Sequence, residues 1–216
     1  MTKGIDVSHL NGQPGHHPID WQQVAKATTP HGSVKFAFIK ATEGVAFDDP
    51  ATASNAQEAK AAGVSFGYYH FAHPATYSAS DEASHFYRRV TGLTTPTFTY
   101  PFALDLETNS NPNTKASLSP ANYLAWVEQF MTVFLGHFGK APVPEIIIYG
   151  APDFLDRNLP ATHTLGEQYK LWVAHVNVAV PRLPKGWSDW TLWQYSWNET
   201  VTGVANPTLD ADLAKI

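Results

Sequence analysis

Residues 100–107, Tyr-Pro-Phe-Ala-Leu-Asp-Leu-Glu, form a short apolar run that ends in two carboxylates separated by one leucine. A run of this kind predicts a buried β-strand. Successive side chains of a strand alternate between its two faces, so Asp105 and Glu107 would share one face. Their Cα atoms would lie about 6.5–7 Å apart. The strand would therefore carry two acids side by side at its carboxyl end.

This pair of acids has a chemical implication. Two carboxylates on one face of a buried strand are costly unless they have a function. Because they lie close together, they push each other's pKa values apart, which leaves one protonated and one ionised near neutral pH. A general acid beside a charged stabiliser or nucleophile is what a glycosidase requires. The alternative is a solvated strand end whose acids do no chemistry.

The composition limits the class of protein. The chain has 216 residues, which suits one domain over residues 1–216 with a sizeable core. Its formal net charge is -5, and without a basic block it predicts neither a nucleic-acid nor a membrane partner. The absence of cysteine excludes disulfides, thiol catalysis and zinc–thiolate sites. We see no apolar signal segment at the N-terminus, and we expect a monomer without cofactor.

Strand-like and helical patterns alternate along the chain. The strand candidates are residues 4–8, 34–42, 64–71, 100–107, 145–149, 170–175, 191–195 and 208–212. The helix candidates are residues 21–27 after Asp20, 50–62 before Gly63, 80–90 with Ser80 as cap, 120–138 after Ser119, and 152–159. This alternation argues for a parallel sheet, and eight strands suggest a closed α/β barrel. The links after residue 170 lack a helical period, so the last three strands should lack outer helices.

Polar residues fall at the ends of these strands. They are Asp6, Glu43, His70, Asp105, Glu107, Tyr149, His175, Gln194 and Asp210. In parallel barrels the chemistry gathers at the carboxyl ends of the strands. The pattern therefore predicts an acidic site at one mouth of the barrel.

Motifs in every part of the chain resemble those of the glycoside hydrolase family 25 lysozymes, the Chalaropsis-type muramidases. The early ones are Gly4-Ile5-Asp6-Val7-Ser8 with Asn11-Gly12, Ile19-Asp20-Trp21, residues 38–44 (Phe-Ile-Lys-Ala-Thr-Glu-Gly), residues 67–72 (Gly-Tyr-Tyr-His-Phe-Ala) and residues 104–107 (Leu-Asp-Leu-Glu). The late ones are Ile147-Ile148-Tyr149, residues 171–174 (Leu-Trp-Val-Ala), residues 192–196 (Leu-Trp-Gln-Tyr-Ser) and Leu209-Asp210. The resemblance implies a TIM-like barrel of five β/α units followed by three strands lacking outer helices.

The resemblance also implies roles for individual residues. Glu107 would be the general acid, and Asp105 would orient or stabilise the substrate's acetamido group or act as nucleophile. Asp6 and Asp210 would complete the acidic cluster, although Asp212 is an alternative to Asp210. The sugar cleft would be lined by Tyr69, Tyr149, Trp172, Trp193 and Gln194. The implied reaction cleaves the β-1,4 bond between N-acetylmuramic acid and N-acetylglucosamine in the glycan strands of bacterial peptidoglycan, outside the cytoplasm, as phage endolysins and autolysins do.

Other interpretations of the sequence compete with this one. A non-catalytic peptidoglycan-binding barrel would keep the fold but substitute the acid pair, which is intact. A chitinase would show a longer Asp-x-x-Asp-x-Asp-x-Glu run, which is missing. The Gly63-x-Ser65-x-Gly67 match to a hydrolase elbow has its helix before the serine instead of after it. The stereochemistry stays open, with attack by the substrate's own acetamido oxygen favoured.

Two residue types are expected to have structural roles. His9, His16 and His17 lie in a Gly/Pro loop without metal-ligand spacing, so we predict no metal site. Trp187, Trp190 and Trp197 are expected to pack loops. His70 and His175 are expected to be hydrogen-bonding wall residues rather than bases.

Overall fold

Strands and helices alternate along the chain as the sequence predicts. The computed structural model describes residues 1–11, 18–29, 32–93, 100–107, 118–139, 144–205 and 209–215. The strands are β1 (Thr2–Val7), β2 (Thr28–Thr29), β3 (Gly32–Glu43), β4 (Phe47–Asp48), β5 (Ser65–Phe71), β6 (Phe102–Asp105), β7 (Ile146–Gly150), β8 (Leu171–Ala174), β9 (Leu192–Glu199) and β10 (Leu209–Ala214). The helices are α1 (Trp21–Lys26), α2 (Thr52–Ala61), α3 (Ala79–Gly92), α4 (Pro120–Gly136), α5 (Pro152–Asn158) and α6 (Leu165–Gln168).

Eight of the strands close into a barrel. The order around it is β1-β10-β9-β8-β7-β6-β5-β3, and β3 pairs with β1 to complete the ring. The short strands β2 and β4 attach to β3 outside this ring. The predicted barrel is confirmed, with helices after β1, β3, β5, β6 and β7. In the described stretches 175–191 and 200–205, which follow β8 and β9, there is no helix.

One strand runs against the prediction of a parallel sheet. β10 is antiparallel to both of its neighbours, β9 and β1, whereas the other barrel pairs are parallel. When no helix links two strands, the second strand can lie directly beside the first and run in the opposite direction. The two strands then form an antiparallel pair. The start of β10 therefore lies at the barrel mouth where the parallel strands end.

The helix ends follow from local sequence. The side chain of Asp20 caps α1 by accepting a hydrogen bond from the backbone N–H of Gln23 at 3.0 Å, and Ser119 caps α4 in the same way. Gly63 follows α2 with φ of +75°, a conformation that glycine adopts without strain. The cap of α3 is Ser78 and not Ser80 as predicted, because the Ser78 hydroxyl accepts from the N–H of Asp81.

Strand alternation divides the core into two layers. The barrel interior is filled by side chains such as Phe36, Phe38, Ile147 and Trp172, and Phe38 and Trp172 pack with ring centroids 4.5 Å apart. The intervening residues of each strand pack outward against the helices. On β6, Ala103 belongs to the inner layer and Leu104 to the outer layer. Asp105 therefore points into the barrel, as the alternation predicts.

The helices of the described ranges include none that is both long enough and apolar enough to span a bilayer.

Candidate active site

Four predicted acids converge at one mouth of the barrel. Asp6 lies near the end of β1, Asp105 is the last residue of β6, and Glu107 follows two residues later. Asp210 is the second residue of β10, and the reversed direction of this strand brings it to the same mouth. The fold therefore gathers carboxylates that are up to 204 residues apart in the chain.

These acids line a cleft formed by three adjoining cavities. The first, of about 190 Å³, is lined by Asp6, Ser8, Leu10, Lys40, Tyr69, Phe71, Asp105, Glu107, Tyr149, Trp172, Gln194 and Asp210. The second, of about 410 Å³, shares Glu107, Tyr149 and Asp210 with the first and reaches Phe154 and Trp197. The third, of about 180 Å³, extends from Trp197 to His175 and Arg182. The acids thus lie in the wall of an extended groove.

A hydrogen-bond chain holds the acids in place. The hydroxyl of Tyr149 donates to Oε1 of Gln194 at 2.8 Å. The amide Nε2 of Gln194 then donates to Oδ2 of Asp6 at 2.8 Å. Because its oxygen accepts from Tyr149, the amide of Gln194 is oriented with its NH₂ group toward Asp6.

A fifth carboxyl group lies beneath the cavity. Asp212 is fully buried, accepts a hydrogen bond from Trp172 Nε1 at 2.8 Å and is hydrogen-bonded to Asp6. Of the two alternatives Asp210 and Asp212, Asp210 lines the cleft, whereas Asp212 contacts Asp6 and does not line it. Both belong to the acidic cluster.

The acids share protons in pairs. Asp105 and Glu107 are hydrogen-bonded to each other, as are Asp6 and Asp212. In the described chain no N–H group or hydroxyl donates to Asp105 Oδ1 or to Asp212 Oδ2. Two carboxyl groups can form a hydrogen bond only when one of them is protonated. The contacts therefore require at least one proton in each pair.

Burial raises the pKa values of the whole cluster. It raises the pKa of Asp6 to about 7 and that of Asp210 to about 9, with like charges adding to both shifts. Burial also raises the pKa of Asp105 well above its usual value and that of Glu107 above its own. The hydrogen bond between the last two lowers the pKa of Glu107 and raises that of Asp105. Such groups titrate as a unit rather than singly.

One cation enters this acidic cavity. Lys40 Nζ donates to Oε2 of Glu43 at 2.6 Å and lies 4.5 Å from the ring centroid of Phe71. Glu43 is held in turn by Nε2 of His73 at 3.0 Å. The charge of Lys40 lowers the pKa values of both Asp105 and Glu107. Sequence reasoning singled out Glu43 and missed Lys40, although Lys40 lies in the same motif and on the inward side of β3.

Several predicted residues occupy other positions. Trp193 does not line the cleft: it packs in the outer layer, where its Nε1 donates to the carbonyl of His175 at 2.8 Å. His70 is a hydrogen-bonding residue as expected. It is buried on the outer side of the barrel strands, where its two ring nitrogens are hydrogen-bonded to Thr42 and Glu82. Among the predicted cleft residues, Tyr69, Tyr149, Trp172 and Gln194 line the first cavity.

Trp197 contradicts the expectation that it packs a loop. It lies within β9, it is 50% exposed, and it lines the second and third cavities. Strict alternation would turn it outward with Trp193 and Tyr195. However, Asp212 pairs with Gln194 while the preceding residue, Ala211, pairs with Ser196, so β9 contains one extra residue there. A bulge of this kind re-aims the side chains that follow it. Because of this bulge, the side chain of Trp197 lies on the same face of β9 as the side chain of Gln194.

The described residues contain no group of three or more histidine or acidic side chains that could hold a metal ion. His9 is instead paired with Asp49, at 2.8 Å. His16 and His17 lie outside the described residues.

An eight-stranded barrel with carboxyl groups clustered at its mouth is the architecture of a barrel glycoside hydrolase. The sequence matches the model of glycosyl hydrolases family 25 over residues 5–204. The chain belongs to this family, and its class is that of the glycoside hydrolases.

Individual relatives agree with this assignment. The chain is 31% identical to lysozyme M1 of Streptomyces globisporus over 94% of its own length and 65% of the relative's. It is 32% identical to the N,O-diacetylmuramidase of Arthroderma benhamiae, over 89% of this chain and 76% of that protein. The crystal structure of the bacterial lysozyme from Streptomyces coelicolor superposes with a TM-score of 0.80 at 28% identity, covering 100% of this chain and 92% of the other. The chain thus spans about two thirds of the length of lysozyme M1.

Proposed function

We propose that this chain is a peptidoglycan muramidase that hydrolyses the β-1,4 bond between N-acetylmuramic acid and N-acetylglucosamine, and that residues 1–216 act as one catalytic domain. The observation that carries the proposal is the pair of hydrogen-bonded carboxyl groups, Asp105 and Glu107, in the wall of an extended groove. An extended groove suits a polymeric substrate because the polymer can continue along the groove on both sides of the bond that is cleaved. Relatives named as lysozymes and muramidases support peptidoglycan as that polymer.

Glu107 is the general acid in this proposal. It lies at the junction of the first two cavities, where a glycosidic oxygen between two sugars would come to rest. Burial raises its pKa, which favours the protonated form that an acid needs near neutral pH. The charge of Glu43 adds to this shift, because a nearby negative charge disfavours ionisation of Glu107.

Asp105 orients the substrate and favours the protonated form of Glu107. The hydrogen bond between the two acids raises the pKa of Asp105 and lowers that of Glu107. An acetamido N–H that donates to Asp105 would favour its ionised form, because hydrogen bonds to a carboxylate stabilise the charge. The proton that the pair shares would then lie on Glu107, from which it reaches the leaving oxygen. Substrate binding thus prepares the acid.

The contact between these two acids supports attack by the substrate's own acetamido oxygen. Two carboxyl groups that flank a bond lie about 5–5.5 Å apart in retaining enzymes and 6.5–9.5 Å apart in inverting ones. A direct hydrogen bond joins groups whose oxygens are about 2.5–3.0 Å apart. Such a pair is too close to act from opposite faces of one sugar, but it can hold an acetamido group and protonate a leaving oxygen on the same side.

Product analysis tests the proposal. Purified protein should clear a suspension of bacterial walls, and mass spectrometry of the fragments should find N-acetylmuramic acid at the new reducing ends. Glu107→Gln should lower the rate by about 10²–10⁴-fold, the usual contribution of a general acid. Glu167→Gln, which changes an exposed glutamate outside the cleft, is the matched control. Reducing ends of N-acetylglucosamine would contradict the bond assignment, and undiminished clearing by Glu107→Gln would contradict the assignment of the acid.

A non-catalytic peptidoglycan-binding barrel is the competing function. It predicts that walls retain the protein while no reducing ends appear. The raised pKa values of the acidic cluster argue against this function. A protein that only binds peptidoglycan does not need five carboxyl groups that repel one another when ionised.

A further inference from the structure

Trp197 occupies a junction within the cleft. Its indole lines both the second cavity, which contains Glu107, and the third, which contains Arg182. Half of the residue is exposed, although most large aromatic side chains of the protein are buried. In the described part of the chain, no other aromatic ring packs on it. A large apolar surface is therefore left open at a point where the groove is continuous.

The indole is fixed at one edge. Its Nε1 donates to Oε1 of Gln194 at 2.8 Å, the same oxygen that accepts from Tyr149. This hydrogen bond holds the ring in one orientation while half of the residue stays exposed. A side chain that is already ordered loses less conformational entropy when a ligand packs on it. Trp197 is therefore preorganised for a flat partner.

The wall around the indole leaves room for such a partner. Ala151 and Ala174 line both of the cavities that Trp197 joins, and their small side chains do not fill the groove. A pyranose ring has an apolar face of C–H groups that packs on aromatic rings. Trp197 offers such an aromatic surface. The second cavity is lined by the acids on one side and by this surface on the other.

We propose that Trp197 is a substrate-binding residue, which stacks against the sugar that adjoins the one held at Glu107 and Asp210. The inference rests on the proposed function and adds to it a binding position on the glycan strand. It predicts that Trp197 contributes to the binding of strands and leaves the chemical step intact.

Binding and kinetics together test this inference. Calorimetry should measure the binding of soluble, uncross-linked peptidoglycan strands to the Glu107→Gln protein, with and without Trp197→Ala. Loss of the indole should weaken binding by about tenfold, as expected for a stacked aromatic contact. In the active protein the same change should raise KM while kcat stays within about threefold. Trp197→Phe, which keeps a stacking face and loses the N–H, should bind within about threefold of its parent.

A matched tryptophan variant provides the control. Trp190 lies before β9, at the opposite end of the barrel, where it lines a separate cavity with Asp189. Trp190→Ala should leave strand binding unchanged. The melting temperature of each variant shows that it is folded.

The outcomes separate the two proposals. If the wild type cleaves walls and Trp197→Ala binds strands as tightly as its parent, the stacking inference fails and the muramidase proposal stands. If Trp197→Phe binds strands as weakly as Trp197→Ala, the contribution of Trp197 to binding comes from its N–H group through Gln194. Stacking is then again excluded. If the wild type neither cleaves nor binds strands, both proposals fail.

Discussion

Asp6 on β1 and Asp210 on β10 are direct partners across an antiparallel strand pair. Like charges placed opposite each other on neighbouring strands destabilise a sheet. Burial raises the pKa of Asp6 to about 7, with the charge of Glu107 adding to the shift. Burial raises the pKa of Asp210 to about 9, with the charges of Asp6 and Glu107 adding to it. The arrangement is unfavourable for the fold and useful for a site that must keep an acid protonated.

Stability should therefore decline as the pH rises. Both groups ionise near 3.8 in the unfolded chain, so between about pH 4 and pH 9 these two groups bind more protons in the folded chain than in the unfolded one. Their contribution to the free energy of unfolding falls over this range. Asp210→Asn removes part of the effect and should raise Tm at pH 9 by at least about 2–4 °C, equivalent to about 1 kcal/mol for a chain of this size. Calorimetric scans from pH 5 to pH 9 measure it.

The control for this prediction is Asp189→Asn. Hydrogen bonds lower the pKa of Asp189, the largest contribution coming from the side chain of Lys215, so its contribution has the opposite sign. A wild type whose Tm is constant from pH 5 to pH 9 would contradict the argument.

Lys40 should set the alkaline limit of activity. Its charge lowers the pKa values of Asp105 and Glu107, so Lys40→Met should raise both. The alkaline limb of the kcat/KM profile reports the acid of the free enzyme and should move to higher pH. Lys170→Met, which removes a lysine paired with Glu145 on the surface, should leave the profile in place. A limb that moves to lower pH would show that Lys40 acts in another way.

Gly67 should be essential for the position of β6. A Cβ atom at this residue would lie 2.3 Å from the backbone oxygen of Pro101, which precedes the strand that carries Asp105. Because backbone cannot give way as a side chain does, Gly67→Ala should cost about 1–3 kcal/mol in the free energy of unfolding. Gly92→Ala, at the end of α3, meets no atom within 4 Å and should be neutral or slightly stabilising. Urea unfolding distinguishes them, and equal stabilities would refute the clash.

Glu82 should stabilise the fold through its acceptor oxygens rather than through charge. It hydrogen-bonds Nε2 of His70 at 2.7 Å and the N–H of His73 at 3.1 Å. Burial raises the pKa of Glu82 to about 8 and lowers that of His70, which favours the neutral form of both groups near pH 7. Glu82→Ala leaves buried polar groups unpaired and should cost about 3 kcal/mol, whereas Glu82→Gln should cost clearly less. If urea unfolding shows that Glu82→Ala and Glu82→Gln lower the free energy of unfolding equally, the charge of Glu82 matters.

The parts of the structure that depend on short stretches of sequence could be predicted. The caps at Asp20 and Ser119 and the inward direction of Asp105 follow from neighbouring residues alone. The barrel itself followed from counting strands and noticing the missing late helices. The direction of β10 could not be predicted, because the alternation within a strand is the same whichever way it runs.

The orientation of Trp197 escaped prediction for a different reason. Between Gln194 and Ser196 the pairing with β10 shifts by one residue, and a one-residue shift exchanges the two faces of a strand. Nothing in residues 192–199 marks this bulge. Its position depends on how two strands fit together, and sequence patterns within one strand carry no information about that fit.

The reversal of β10 also brings the two ends of the chain together. Thr2 pairs with Ala214 at the end of the barrel remote from the acids. A short peptide could join these positions, and new termini could open in a surface turn, giving a circular permutant with the same ring of strands. For the same reason, a tag or a surface anchor attached at either end would hold the groove facing away from its support.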